Sequence, residues 1–211
     1  MSKDKLDLKR AYSLKTPQDS VALYRDWAES YDIGFADRMD YRAPSVVAEL
    51  FAENAKDPDN PILDVGAGTG LGGAALRRLG EWAIDGLDIS DEMLAVAFNK
   101  GCYRAVIQAD LTNKLAIAND TYGAVISAGT FTHGHVGPGA LDELLRVARP
   151  NALFVLGVNA EAFVEYGFDK KFTDLAPQIS GYNILERKTY GAKGLAERKS
   201  DIARMVVFRK I

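Results

Sequence analysis

The sequence predicts an α/β fold: a mostly parallel seven-stranded sheet with an antiparallel hairpin at one edge, preceded by a helical cap. Three observations carry this. From Pro61 onward, short apolar runs at 62–65, 82–89, 104–109, 124–128 and 152–158 alternate with helical segments at 71–79, 91–99 and 139–148. Such alternation builds βαβ units, and hence a parallel sheet covered on both faces. The last two strand-like runs, 182–190 and 202–210, are separated by too little chain for a helical crossover, which leaves an antiparallel hairpin. Finally, 211 residues suffice for one sizeable core, or one core with a small cap. The expected division is a helical cap over 1–60 and a core over 61–211.

In chain order, Thr16-Pro17 reads as an N-cap followed by proline at the first helical position. Val21, Tyr24, Ala28 and Tyr31 then recur at helical spacing with Trp27 beside them. The stretch 32–40 breaks that period, and the glycine within 32–37 gives it the character of a hinge. A helix over 43–55 places Val47, Leu50 and Phe51 on one face, and 56–61 is rich in turn formers. In the helix over 139–148, Leu141, Leu144, Leu145 and Ala148 follow the i, i+3, i+4, i+7 pattern, and Pro150 ends it.

Composition excludes several classes. Hydrophobic residues make up 47% and charged residues 26%, values of an ordinary globular chain. A net charge of −3 and a pI near 5.5 do not suit a protein that binds by neutralising phosphates, so no nucleic-acid partner is expected. The single cysteine, Cys102, permits no internal disulfide and no multi-cysteine zinc site, as in a reducing compartment. No apolar stretch approaches the length of a signal peptide core or a membrane span. A cytoplasmic protein without a membrane partner is expected.

The chemistry concentrates at Pro61-Ile62-Leu63-Asp64-Val65-Gly66-Ala67-Gly68-Thr69-Gly70-Leu71-Gly72-Gly73, a strand with an embedded carboxylate running into five glycines in eight residues. A glycine turn between strand and helix lets the backbone approach a ligand and presents amide N–H groups to it. Gly68, Gly70 and Gly73 satisfy G-x-G-x-x-G, so a nicotinamide or flavin dinucleotide enters as an alternative. In that fingerprint, however, the first glycine closes the strand, whereas here the strand ends at Val65 and the loop begins at Gly66. Asp64 at the strand end repels a pyrophosphate and suits a ligand carrying a cation. Asp88, about 20 residues after the loop, ends the next strand, where an acid accepts from both ribose hydroxyls. Ser90 caps the following helix, whose Met93 can lie on a purine face, and Asp110 at the third strand end can accept from an exocyclic amine.

This ordered series resembles the class I S-adenosylmethionine-dependent methyltransferases. The matching segments are ILDVGAGTG, GLDIS with Met93 after it, QADL, and YGAVISAGTFTHGHV leading to LLRVARPNALFVL. The stretches YRDWAESYD and YRAP are similar to the cap of the Williams–Beuren-syndrome-region methyltransferase-like subgroup. Asn151-Ala152 stands where that family usually has two glycines, and asparagine also tolerates left-handed backbone.

The resemblance implies a Rossmann-like class I fold and S-adenosyl-L-methionine as cofactor, with S-adenosyl-L-homocysteine as product. It assigns Asp64 and Gly66 to the methionine end, Gly68 to close approach, Asp88 to the ribose, Ile89 and Met93 to the adenine faces, and Asp110 and Leu111 to its edge. Tyr31 and Tyr41 are the cap residues expected to touch the cofactor, and Ser127 lies on the strand end that faces the transferring methyl group. The strand end Ser127-Ala128-Gly129-Thr130 lacks the Asn/Asp-Pro-Pro-aromatic sequence of enzymes that methylate amino groups of DNA bases, which leaves a small-molecule acceptor. His133 and His135, the two histidines of the chain, directly follow that strand and are the candidates for a base or orienting group, with His133 slightly favoured. No metal site is expected. The rival readings are an NAD(P)-dependent oxidoreductase and a catalytically silent module that binds S-adenosylmethionine.

Overall fold

The structure, a computed structural model, describes residues 19, 28, 31–56, 59–194 and 201–211. The helix expected after Thr16-Pro17, with Val21, Tyr24 and Trp27, lies outside the described residues. The predicted α/β architecture is observed. Strands β1 (Ile62–Val65), β2 (Ile84–Asp88), β3 (Ala105–Gln108), β4 (Tyr122–Phe131), β5 (Ala148–Asn159), β6 (Ile179–Lys188) and β7 (Ile202–Lys210) form one sheet in the order β3-β2-β1-β4-β5-β7-β6. β1 pairs in parallel with both β2 and β4, β2 with β3, and β4 with β5. β7 is antiparallel to β5 on one side and to β6 on the other, so the hairpin forms the edge with its second strand inside.

Both faces of the central strands are covered, and the strand period of two decides what each face meets. Leu63, Val65, Leu87, Val125, Phe154, Leu156 and Phe208 pack on one side against a helix Ala140–Val147 and a later helical pair. Ile62, Ile84, Ala124, Ile126, Leu153, Val155 and Met205 face the other side. There they meet α1 (Ala43–Asn54), α2 (Leu71–Arg77) and α3 (Asp91–Asn99). Further helices are α4 (Ala140–Val147), α5 (Ala160–Glu165) and α6 (Phe168–Leu175). α1 carries Pro44 in its first turn and buries Val47, Leu50 and Phe51. Although the sequence groups it with the cap, its apolar face lies in the same cluster as Ile62 and Ile84.

The pair α5–α6 and the long β4 and β5 go beyond the sequence reading. Asn159 caps α5 by accepting from the amides of Glu161 and Ala162, each at 3.0 Å. Gly167, at φ 74°, turns the chain into α6. Phe163 then stacks against Phe168 and Phe172, each at 6.0 Å between ring centres. β5 begins at Ala148, directly after α4, and Asn151 takes the left-handed backbone expected of it, with φ 68°.

The end of the sheet away from the glycine loop is fastened by a buried ion pair. Arg209 on β7 makes a two-pronged contact with Asp59, 2.9 Å to Oδ1 and 3.0 Å to Oδ2, and also donates to the carbonyls of Asn54 and Asn151 at 2.8 Å. Asp59 is 2% exposed and accepts in addition from the Lys56 amide at 2.7 Å.

Ahead of α1, Tyr31–Ala36 forms a wide π-helical turn that runs into Asp37–Met39. The Tyr41 amide closes this segment onto the Ala36 carbonyl at 2.9 Å. The stretch the sequence marks as a hinge is therefore wound rather than extended.

Candidate active site

The site starts where β1 ends. Alternation puts Asp64 on the same face as Ile62, looking at α2, and a carboxylate fits there because Gly72 has no side chain: a Cβ would stand 2.7 Å from Asp64 Oδ2. Gly73 is bare for a related reason, since a Cβ would stand 2.5 Å from the Tyr103 ring. Gly66, Gly68 and Gly70 have φ of 67°, 53° and 88°, the left-handed region that side chains disfavour. At Gly66 a side chain would in addition run into Thr130. Backbone geometry thus accounts for three of the five glycines, and the crowding around Asp64 and Tyr103 for the other two.

Tyr103 is the functional neighbour that sequence reasoning missed. Its hydroxyl donates to Asp64 Oδ2 at 2.7 Å and accepts from the Gly73 amide at 3.2 Å. Two adjacent glycines inside a helix were the signal, because they imply that something large packs there. Asp64 has no cationic partner among the described residues. Burial pushes its carboxyl up to about 6, against the pull of the Tyr103 hydrogen bond and with help from nearby Asp88.

At the end of β2, Asp88 accepts from the Gly68 amide at 2.8 Å and the Ser90 amide at 2.9 Å, one on each oxygen. It therefore ties the glycine loop to the start of α3, and burial raises its pKa. Ser90 caps α3 as expected, accepting from the Met93 amide at 3.3 Å. Asp110 accepts from the Thr112 amide and hydroxyl and from the Asn113 side chain, so it shapes its own turn as well as standing at the site.

These residues surround one cavity of about 360 Å³. Asp64, Gly66, Gly68, Asp88, Ile89, Met93, Asp110 and Leu111 line it from the sheet side, Tyr31 and Tyr41 from the cap, and His135 from the loop after β4. The Tyr41 hydroxyl rests against Gly129, filling the place of a Cβ, and Gly129 adopts φ 90°. Ser127 is not on the wall: it is fully buried and donates to the Val65 carbonyl at 2.7 Å, as Thr130 does at 2.9 Å. The two hydroxyls hold β4 against the end of β1.

The histidines separate. His133, favoured by the sequence, lies off the cavity with Nε2 3.0 Å from Glu165 Oε2 and its ring edge-on to Tyr166. His135 lines the cavity, with Nδ1 2.9 Å from the His133 carbonyl, and burial lowers its pKa. The carbonyl selects the neutral tautomer with its proton on Nδ1, which leaves Nε2 as the basic nitrogen. Tyr166 also accepts from the Gly134 amide at 3.2 Å, so α5 and the residue after it hold the histidine loop in place.

Comparison with known proteins points to one family and one fold. Residues 63–156 match the family model described as a methyltransferase domain. The chain is 31% identical over 152 residues, 71% of its length, to human methyltransferase-like protein 27, and spans 61% of that protein. It is similar in fold to a SAM-dependent methyltransferase from Aquifex aeolicus, at 19% identity and TM-score 0.59, covering 92% of this chain and 98% of the other. It is also similar to the [4+2]-cyclase SpnF, at 16% identity and TM-score 0.64, covering 93% and 97%. From its glycine loop through its sheet order to the family model over residues 63–156, this chain carries a methyltransferase domain, and its fold is that of the class I methyltransferases.

Proposed function

We propose that the protein transfers a methyl group from S-adenosylmethionine to a small-molecule acceptor. The observation that carries this is the charge of the cavity: two carboxylates at neighbouring strand ends, Asp64 with its pKa raised to about 6, stand where a pyrophosphate would otherwise lie. That wall favours an ammonium and a ribose diol over a dinucleotide. When bound, the cofactor's sulfonium supplies the methyl group.

The residues divide the remaining work. Asp64 pairs with the ammonium while Gly66 and Gly68 admit the backbone of the loop to close range, and Asp88 holds the ribose. Ile89 and Met93 cover the adenine, with Asp110 and Leu111 at its edge. Tyr41 against Gly129 and Tyr31 close the cap side, excluding water and aligning the acceptor for in-line displacement. Ser127 keeps the β4 end in register behind the reacting groups. His135 takes the acceptor's proton at Nε2, and His133 orients it through its carbonyl. A cavity of about 360 Å³ beneath a cap, in a chain of net charge −3, supports a small acceptor rather than a nucleic acid.

Calorimetric titration tests the reading: S-adenosylhomocysteine should bind and NAD(P) should not, and the reverse would establish the oxidoreductase alternative. Turnover on a panel of hydroxyl and amine metabolites then separates an enzyme from a silent binding module. SpnF, a cyclase of this fold, makes the second step necessary.

Asp64→Asn provides a pH test. A carboxyl raised from 3.8 to about 6 destabilises the folded protein once ionised; the relative advantage is present below pH 3.8 and lost as pH rises through about 6. Near neutral pH the substitution should therefore raise apo stability, by up to roughly 3 kcal/mol. At the same time it should weaken S-adenosylhomocysteine about 10–100-fold by removing a charged partner. Wild-type affinity should fall as pH is lowered through 6, as Asp64 gains the proton. A lower melting temperature, or unaltered affinity, in Asp64→Asn would overturn the assignment.

A further inference from the structure

Residues 31–42 are fastened at their two ends by bonds of different kinds. At 39–42 the bonds are mostly backbone. The Arg42 amide donates to the Thr189 carbonyl at 2.9 Å, and the Gly191 amide donates to the Asp40 carbonyl at 2.8 Å. The Lys193 amide donates to Asp40 Oδ2 at 3.2 Å. Tyr41 and Tyr190 form an antiparallel bridge with their rings 5.7 Å apart. Gly191 lies so close to the Asp40 carboxylate, and Gly194 to the Met39 carbonyl, that neither has room for a side chain. Releasing this end means undoing the β6–β7 connection.

At the other end Asp32 makes its contacts through its side chain. Asp32 accepts from the Thr69 hydroxyl at 2.5 Å and pairs with Lys100 Nζ at 2.5 Å. Thr69 is buried in the glycine loop, next to the Gly68 amide that fixes Asp88, while Lys100 directly follows α3. The side chains of Asp32 and Lys100 are 31% and 25% exposed, so water reaches the pair and can take its place at modest cost. Tyr31, beside Asp32, is the cavity-lining residue at this end.

We infer that Asp32 is a positioning residue that retains the cofactor: it latches a flap hinged at 40–42 onto the glycine loop, so that cofactor leaves only after the Asp32 contacts part. This rests on the S-adenosylmethionine reading above. The hinge is backbone and lasting, and the latch is side chain and reversible. The latch also bears on the loop that aims Asp88, which couples closure of the cap to the grip on the ribose.

The test is the dissociation rate of S-adenosylhomocysteine from the full chain, by surface plasmon resonance, for wild type, Asp32→Ala, Asp32→Asn and Lys100→Met. Dissociation should be about tenfold faster in Asp32→Ala, with the association rate within about threefold of wild type and the apo melting temperature little changed. Asp32→Asn keeps an acceptor for Thr69 and should fall between the two. Wild-type dissociation should quicken as salt rises from about 0.05 to 0.5 M, and Lys100→Met should remove that dependence. A wild type that binds while the variants release at its rate overturns the latch and leaves the cofactor reading intact. If Asp32→Ala does not fold, unchanged salt dependence in Lys100→Met does the same. A wild type that binds no S-adenosylhomocysteine overturns the cofactor reading and the latch together.

Discussion

Asp88→Ala should yield a folded protein whose affinity for S-adenosylhomocysteine has fallen by 100-fold or more. A carboxylate has about four lone-pair sites; the Gly68 and Ser90 amides take one on each oxygen and the Ile89 amide adds to their hold. Acceptor capacity left on the two oxygens suits the ribose hydroxyls. Charge-assisted hydrogen bonds contribute roughly 1.5–3 kcal/mol each, so losing both removes about 3–6 kcal/mol of binding. The substitution also strips two amides of their acceptor and loosens the glycine loop. Asp88→Asn, which keeps acceptor capacity at one atom only, should fall between alanine and wild type. Calorimetric affinities within about threefold of wild type for Asp88→Ala would remove Asp88 from the ribose position.

The largest effect on stability should come from Arg209→Ala, at the far end of the sheet. Asp59, 2% exposed, would keep its charge and lose a two-pronged guanidinium, and the carbonyls of Asn54 and Asn151 would lose a donor. Removing one partner of a buried ion pair costs about 3–5 kcal/mol because the other is left uncompensated. Urea denaturation should show that loss, and Asp59→Ala combined with Arg209→Ala should recover part of it. A change below about 1 kcal/mol in the single variant would mean that water reaches Asp59 and replaces the arginine.

How much of this was legible in the sequence depended on whether a signal was local. The runs at 62–65 and 202–210 and the helix at 91–99 coincide with β1, β7 and α3, because alternation and the Ser90 cap are written in adjacent residues. The sequence starts β5 at 152, after the proline that ends the helix, whereas in the structure Ala148 already pairs with Tyr122, with a register shift before the pair at Leu153. The pair α5–α6 is marked only by the Asn159 cap, by Gly167 and by the phenylalanine spacing. At the site, Asp64 and Asp88 were visible from their places at strand ends. Tyr103 and Asp32 were not, since they reach Asp64 and Thr69, 39 and 37 residues away, through side-chain contacts that no local pattern records. For the histidines, two residues of separation decide which faces the cavity, and that depends on how Gly134, at φ 75°, turns the chain.

The placing of β7 between β5 and β6 has a consequence for biosynthesis. A ribosome delivers Ile179–Lys188 before the strand that will join it to the sheet, so β6 must wait with both edges unpaired until Ile202–Lys210 emerges. Unpaired strands of this length recruit other chains for as long as the wait lasts. Glu186, Arg187 and Lys188 at the end of β6 put charge on the waiting strand, as gatekeepers against aggregation do. The nascent chain is thus vulnerable between the emergence of β6 and that of β7, and slowed translation there would lower yield rather than activity.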